Sequence, residues 1–327
     1  MNDFPRARYL DRATPPHIST LILLAGISAL AMNIFLPSLP GMAAYFETEY
    51  RLMQLSVAIY LAMNAFLQIL IGPISDKYGR RKVILYALVL FLLATLGCLL
   101  ATNAAIFLFF RMMQAAVAAA MVLSRAVVRD ITTQDRAASM IGYVTMGMTV
   151  VPMVGPAIGG YLESAYGWKA SFWMLFCAGL LVTIITWFDQ GETKAPSEIS
   201  LADQFREYPE LLTAPRFWGY CFASAFGSGA FFAYLGGAPF VGSVVFNLPP
   251  EQLGLFFAAP SVGYFLGNWA TGAYSARIGI NRMVLIGAML VPGRGEYPLI
   301  AIMLVVSLLS VASILFVIRR EKRLGLA

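Results

Sequence analysis

Gly72-Pro73-Ile74-Ser75-Asp76-Lys77-Tyr78-Gly79-Arg80-Arg81-Lys82 lies between two long apolar runs, residues 55–71 and 83–101. One acid, four bases and two glycines share a link too short for anything but a tight turn. Each flanking run approaches the ~20 apolar residues that a helix needs to cross a bilayer. The link therefore reads as the charged tip of a helical hairpin, and the rest of the chain is placed relative to it.

The surrounding composition supports a membrane solvent. The 327 residues are 59% hydrophobic and 12% charged, with a mean hydropathy of +0.74, whereas a soluble domain is about a quarter charged. The length has room for roughly ten to twelve membrane helices with short loops. The net charge of +6 does not point to nucleic acid, because the bases collect in the links between apolar runs, which is the signal that orients membrane helices. Cys98, Cys177 and Cys221 all lie in apolar runs without metal-ligand spacing. They read as small core residues, with no disulfide, zinc site or other metal. His17, just before the first apolar run, reads as interfacial. No nucleophile–base pair or metal cluster appears within the spans, so neither an enzyme nor a cofactor is expected. The polar N-terminus carries Arg6, Arg8 and Arg12, and the apolar run at 18–36 is too long for a signal-peptide core. It reads as the first span.

In order, candidate spans fall at about 18–37, 55–71, 83–101, 105–127, 139–162 and 170–187, each near the length a bilayer requires. A polar linker follows, with Glu192, Lys194, Glu198, Asp203, Arg206, Glu207 and Glu210 among Pro196, Pro209 and Pro215. Two further spans lie at about 217–245 and 253–274. The N-terminal tail, the 76–82 turn, the 125–136 region, the linker and the 277–282 turn carry most of the Lys and Arg. The opposite links hold Glu47, Glu49 and Arg51, then Glu163 and Lys169, then Glu251. The base-rich side is therefore read as cytoplasmic, with the N-terminus on it.

The opening stretch has a second copy. Residues 72–85 align without gaps on 272–285: Gly72 with Gly272, Ser75 with Ser275, Gly79 with Gly279 and Leu85 with Leu285, with bases matched at Lys77/Arg277 and Lys82/Arg282. Just upstream, Gln68 matches Asn268. Two parallel repeats joined by a polar linker describe a transporter of two helix bundles. The expected organisation is a six-helix bundle over 1–188, a cytoplasmic linker over 189–215 and a second bundle over 216–327. That second bundle is short. The apolar piece at 283–291 reaches only about 14 Å as a helix, half of the ~30 Å hydrocarbon core. Pro292-Gly293-Arg294-Gly295-Glu296 then interrupts it, and one full span at about 299–318 precedes a basic tail. A re-entrant hairpin, or a tail that violates the charge rule, would accommodate this. The favoured reading is a deletion of about two to three helices, leaving about nine to ten membrane segments. The fold class is all-α: a polytopic membrane protein with an incomplete second bundle.

Several residues stand out within this frame. Asp76 ends a helix, where the dipole disfavours an acid, so it needs a partner. Arg111 lies inside an apolar run, at a cost of about 2.5–3.5 kcal/mol on insertion scales, and must face protein or water and bind something. Gly155, Gly159 and Gly160 offer a small-residue face for close helix approach. Pro152 and Pro156 remove backbone donors and are expected to bend their helix. Phe231, Phe232, Tyr234 and Phe240 read either as the lining of an apolar cavity or as packing.

These same residues carry a resemblance. Gly72–Lys82 is similar to the signature loop between helices 2 and 3 of the major facilitator superfamily. Arg111-Met112-Met113-Gln114 resembles that superfamily's arginine motif. The Pro152-x-x-Gly155-Pro156-x-x-Gly159-Gly160 pattern resembles the motif of its drug:proton antiporters. Asn33-Ile34-Phe35-Leu36-Pro37-Ser38-Leu39-Pro40 resembles the Bcr/CflA multidrug-resistance branch. The resemblance implies export of small amphipathic molecules from a bacterial inner membrane, by rocking of two bundles about a central cavity, with protons as the coupling ion. Asn33, Arg111 and Gln114 would line the cavity. Gly72, Asp76, Gly79, Arg80 and Arg81 would form the gating loop, with Arg80 paired to Asp130 and Asp76 meeting the start of helix 11. Pro152 to Gly160 would shape a gate. The chain departs from the pattern at Asn33, where the Bcr/CflA branch has an acid. An amide does not change charge, and no Asp or Glu lies deep inside a span. The sequence therefore predicts no export driven through an intramembrane carboxylate, and places Asp76's inter-bundle partner in the missing segment. A non-transporting remnant, an uncoupled uniporter and a membrane scaffold remain alternatives.

Overall fold

His17 starts the first helix, α1 (Ile18–Asn33): its backbone is extended, and its Nδ1 accepts from the amide of Ser19 at 3.3 Å. This is an N-cap, which satisfies a donor that the first helical turn leaves free. The structure, a computed structural model, describes residues 7–132, 134–195, 197, 206, 208–250 and 252–253. Beyond Asn33 the chain tightens into a 3₁₀ turn at Leu36–Ser38 and resumes as α2 (Leu39–Tyr45), with Pro37 and Pro40 in the first turns of these two pieces. Proline is tolerated there because its missing N–H would have no helical partner.

Next come α3 (Tyr50–Tyr78), α4 (Arg80–Leu100), α5 (Ala104–Gln114), a 3₁₀ turn at Ala115–Val117, and α6 (Ala118–Ile131). Then follow α7 (Gln134–Tyr166), α8 (Lys169–Asp189), α9 (Tyr208–Thr213) and α10 (Pro215–Phe240). Among the described residues, six segments are long and apolar enough to cross a membrane: Ile18–Tyr45, Tyr50–Tyr78, Arg80–Leu100, Ala104–Ile131, Met140–Tyr166 and Lys169–Asp189. No strand occurs among the described residues.

The opening turn is shorter than the sequence suggests. Helix α3 carries Gly72 and Pro73 within it and runs on to Tyr78, while α4 begins at Arg80. The link contracts to Gly79, at φ +94°, a backbone state that glycine reaches without steric cost. The 29 residues of α3 extend about 43 Å, so its charged end stands beyond a ~30 Å hydrocarbon core. Pro152 and Pro156 likewise lie inside one continuous helix, α7.

The chain divides into two compact units, residues 1–201 with 242–262 and residues 202–241 with 263–327. In the first, α1 packs most extensively on α7, and Leu21, Leu24, Ile34, Phe35, Tyr60, Phe91, Phe107 and Phe172 are fully buried. Tyr86, Leu93, Leu100 and Leu181 are exposed, as expected for helices whose outer solvent is lipid. The N-terminal tail is pinned to the end of α8: the amides of Leu10 and His17 donate to the two carboxylate oxygens of Asp189 at 2.7 and 2.8 Å. In the second unit, α9 and α10 pack together. The Trp218 indole donates to the Leu212 carbonyl at 2.7 Å, and Trp218, Phe222 and Phe226 stack in sequence. The repeat at 272–285, the short run at 283–291, the span at about 299–318 and the basic tail lie outside the described residues.

Candidate functional site

The predicted site residues assemble as three groups within the first unit. At the opening loop, Arg80 is the hub. Its side chain is almost wholly buried; Nη1 lies 2.6 Å from Asp76 Oδ1, and Nε donates to Asp130 Oδ2 at 3.1 Å. Nη1 also donates to Ser75 Oγ. The acid at the unfavourable end of α3 is thus neutralised from the first residue of α4, and Asp130 ties in the end of α6. The Arg80–Asp130 pair is the one the resemblance implies.

A further set of contacts was missed by sequence reasoning. Residues 187–195 and Ser197 fold back over the loop as a strap. The Glu192 carboxylate accepts from the amides of Arg80 (2.7 Å) and Arg81 (3.3 Å), placing an anion where the dipole and free N–H groups of α4 favour one. It also occupies the space beside Gly79 that a Cβ would need. Lys194 Nζ lies 3.1 Å from Asp76 Oδ2, and the Ser197 amide donates to the Asp76 carbonyl at 2.8 Å. Arg81 donates to the carbonyls of Gln190 (2.7 Å) and Trp187 (3.1 Å), and its guanidinium lies 5.1 Å from the centre of the Trp187 ring. The available signal was the excess of bases in the loop, which calls for acids nearby without saying which.

The second group surrounds Arg111, which has no exposed surface. Its guanidinium lies 4.2 Å from the ring centres of both Phe35 and Tyr60. Nη2 donates to the Ala31 carbonyl at 2.8 Å and Nη1 donates to Gln114 Oε1. Gln114 Nε2 donates in turn to Thr95 Oγ1 at 2.8 Å, and that hydroxyl donates to the Phe91 carbonyl at 2.7 Å. A charge buried without compensation is prohibitive. Here a carbonyl, an amide and two aromatic faces replace water, and no carboxylate pairs with Arg111 among the described residues. Nε has no partner. Asn33 is also fully buried; its Nδ2 donates to the Ala29 carbonyl at 2.7 Å, while Oδ1 has no partner. Asn33, Arg111 and Gln114 therefore face the interior of the bundle in this structure, not open solvent.

The third group is the seam between α1 and α7. A Cβ on Gly155 would stand 3.4 Å from Leu30 Cδ1 and 3.9 Å from Asn33 Cβ. A Cβ on Gly159 would collide with the backbone carbonyl of Ile34. Pro156 and Gly160 are buried on the same helix, and Pro152 is half-buried. The glycines bring α7 into backbone contact with the end of α1, where that helix breaks. Of the predicted aromatics, all on α10, Tyr234 is half-buried and Phe240 exposed.

Residues 21–319 match the family model of the Major Facilitator Superfamily. An uncharacterized MFS-type transporter YdgK of Bacillus subtilis is 30% identical over 279 residues, 82% of this chain and 69% of that protein. A bicyclomycin resistance protein homolog of Haemophilus influenzae is 26% identical over 280 residues, 84% and 70% of the two chains. A chloramphenicol resistance protein of Pseudomonas aeruginosa is 32% identical over 262 residues, 78% and 60%. This chain thus spans between three fifths and seven tenths of the length of these relatives. In fold it is similar to the human organic anion transporter MFSD10 (TETRAN), with a TM-score of 0.65 at 19% identity, covering 92% of this chain and 84% of that one.

Proposed function

This chain belongs to the major facilitator superfamily and is a multi-pass membrane protein, and from that premise we propose that it exports small amphipathic molecules by alternating access. The reading is carried by its similarity, over 78–84% of its length, to relatives named for resistance to bicyclomycin and chloramphenicol. In the proposed cycle, bundles over 1–188 and 216–327 rock about a central cavity in a bacterial inner membrane, with the N-terminus cytoplasmic. Asn33, Arg111 and Gln114 face that cavity in a state other than the one described above, in which they are buried. Gly72, Asp76, Gly79, Arg80, Arg81 and Asp130 form the cytoplasmic latch, and the seam from Pro152 to Gly160 acts as the gate. Coupling to protons requires a titrating group other than Asn33 or Arg111, since an amide does not ionise and a guanidinium does not release its proton.

A second reading, a membrane scaffold that does not transport, is favoured by the short apolar run at 283–291. Proteoliposomes loaded with a fluorescent lipophilic cation separate the two. Export requires dye movement faster than in protein-free liposomes, and slowed by Arg111→Ala. Identical leakage in both preparations refutes export and leaves the scaffold.

A further inference from the structure

We propose that Glu163, on α7, is a proton-binding site whose protonation holds the α1–α7 seam closed; as a coupling device it rests on the transport reading above. The argument begins with spacing. Gly155, Gly159 and Glu163 recur every four residues, so they share one face of α7. The first two lie against Leu30, Asn33 and Ile34 of α1 and its end. One turn further on, the Glu163 carboxyl meets the broken continuation of that helix. Ser38, in the 3₁₀ turn, faces it, and Oε1 fills the space that a Cβ on Gly41 of α2 would take. The small-residue face of the antiporter-like motif therefore ends in an acid, aimed into the break.

Among the described residues that acid has no charge partner. Oε2 is buried and without a hydrogen-bond partner; so is Ser38 Oγ, although the two side chains face each other. No residue of α1, of the 36–38 turn or of α2 carries a charge, and the titratable side chain on α2 is Tyr45. From α8 the charge at this end is Lys169, which lies 5.2 Å from the centre of the Tyr45 ring and 5.6 Å from that of Trp168. Arg125, Arg129 and Asp130 of α6 stand at the opposite end of their span, and Arg111 of α5 is held by Ala31 and Gln114. A carboxylate here is a half-buried anion whose neighbouring protein donor is the neutral Ser38 hydroxyl, with no cation paired to it among the described residues, and burying a charge with so little compensation is costly. The neutral acid has one O–H to donate, and Ser38 Oγ is an acceptor with capacity to spare.

The closed seam is thus built for the protonated form. Loss of the proton leaves a charge with one neutral protein donor, the Ser38 hydroxyl; the rest of its solvation must come from water, which gains access when α7 parts from the α1–α2 break. A proton taken up at Glu163 closes this end of the first bundle, and its release opens it. The linkage has one sign: closure is present at low pH and is lost as pH rises through the titration of Glu163. Asn33 then need not titrate.

The test uses the full chain in lipid nanodiscs, with spin labels at Ala44→Cys and Ala165→Cys, both exposed positions, and Cys177 and Cys221 replaced. The distance across the seam is measured between about pH 5 and 9, a range in which a carboxyl in an altered environment can titrate. The expected result is a pH-dependent lengthening that Glu163→Gln abolishes, holding the short distance throughout, and that Glu163→Asp retains at a displaced midpoint. A seam that ignores pH in the unsubstituted protein overturns the proposal, as does an equal response in Glu163→Gln. In proteoliposomes, a pH gradient should accelerate export by at least about fivefold, and Glu163→Gln should reduce that ratio to one. A pH-responsive seam in a protein that exports nothing refutes the transport reading and leaves the proton site standing.

Discussion

Replacing Gly159 by alanine adds a single methyl group and should force two helices apart. Its Cβ would lie 2.8 Å from the backbone carbonyl carbon of Ile34 and nearer still to the oxygen. Ordinary contact begins near 3.4 Å, so the backbones must separate by about 0.6 Å or more. The obstacle is main chain, which no rotamer change can remove. Overpacking of this kind costs about 1–3 kcal/mol, and a backbone contact belongs near the top of that range. Against it stands the gain from replacing a helical glycine by alanine, about 0.5–1 kcal/mol. The net expectation is a loss of about 2 kcal/mol, close to thirtyfold in the folded-to-unfolded ratio. Two neighbours on α7 act as controls. Gly155→Ala meets the Leu30 side chain at 3.4 Å, and Gly142→Ala meets nothing within 4 Å, so the first should be near neutral and the second neutral or stabilising. Thermal unfolding of the purified protein in detergent ranks the three. If Gly159→Ala melts with Gly142→Ala, the close α1–α7 approach is wrong, and with it the frame that aims Glu163 into the α1–α2 break.

Arg111→Lys keeps the charge but cannot lie flat between Phe35 and Tyr60 while donating to both Ala31 and Gln114; it should lower stability by about 1–3 kcal/mol, and an unchanged melting temperature would show that the stacked geometry is unimportant. A double-mutant cycle of Arg80→Ala and Asp130→Ala, read by unfolding in mixed micelles, should give a coupling of about 1–3 kcal/mol; additivity within about 0.3 kcal/mol would dismiss the buried pair. Asp189→Asn replaces one of the two acceptors of the Leu10 and His17 amides by a donor, so limited trypsin should cut at Arg8 or Arg12 well before it does in the unsubstituted protein. Equal protection would mean that the tail is held by something else.

How much of this was legible beforehand follows from what each signal measures. Hydropathy reports which residues can lie in lipid, and it located the six spans of the first unit. It does not report where a helix stops in water, which is why α3 runs seven residues past the expected end at residue 71 and the eleven-residue link shrinks to Gly79. Arg111 was conspicuous because a charge in an apolar run must be compensated. Its partners were not, because Ala31, Phe35 and Tyr60 come from two other spans and look like ordinary core. The pairing of Arg80 with Asp130 was legible through the family resemblance of the loop, which implies an acid at the end of the fourth span. Glu192 and Lys194 could not be separated from the other linker charges, since nothing in their spacing says which ones fold back. Glu163 is the most instructive case. Its position near the end of a span reads as a solvated acid, whereas its burial depends on the break in α1 and on the absence of a side chain at Gly41.

The loop end and the opposite end of the first bundle manage acids by contrasting physical means. At the loop, Asp76 is shared between Arg80, whose side chain is 8% exposed, and Lys194, which is 42% exposed. The exposed contact is a surface ion pair, worth at most about 1 kcal/mol, and it can be exchanged for another partner at little cost. The Arg80 contacts are desolvated and joined to Asp130, so breaking them would strand a buried charge. The loop is therefore a fixed ionic core with one replaceable outer contact, and no change of protonation is needed to switch it. At Glu163 no cation pairs with the acid among the described residues, and the means left for altering the local charge is the proton itself. On the proposal above, a chain with an amide at Asn33 and a fixed charge at Arg111 has its proton-responsive element displaced from the bundle centre to the seam where α7 meets the broken end of α1.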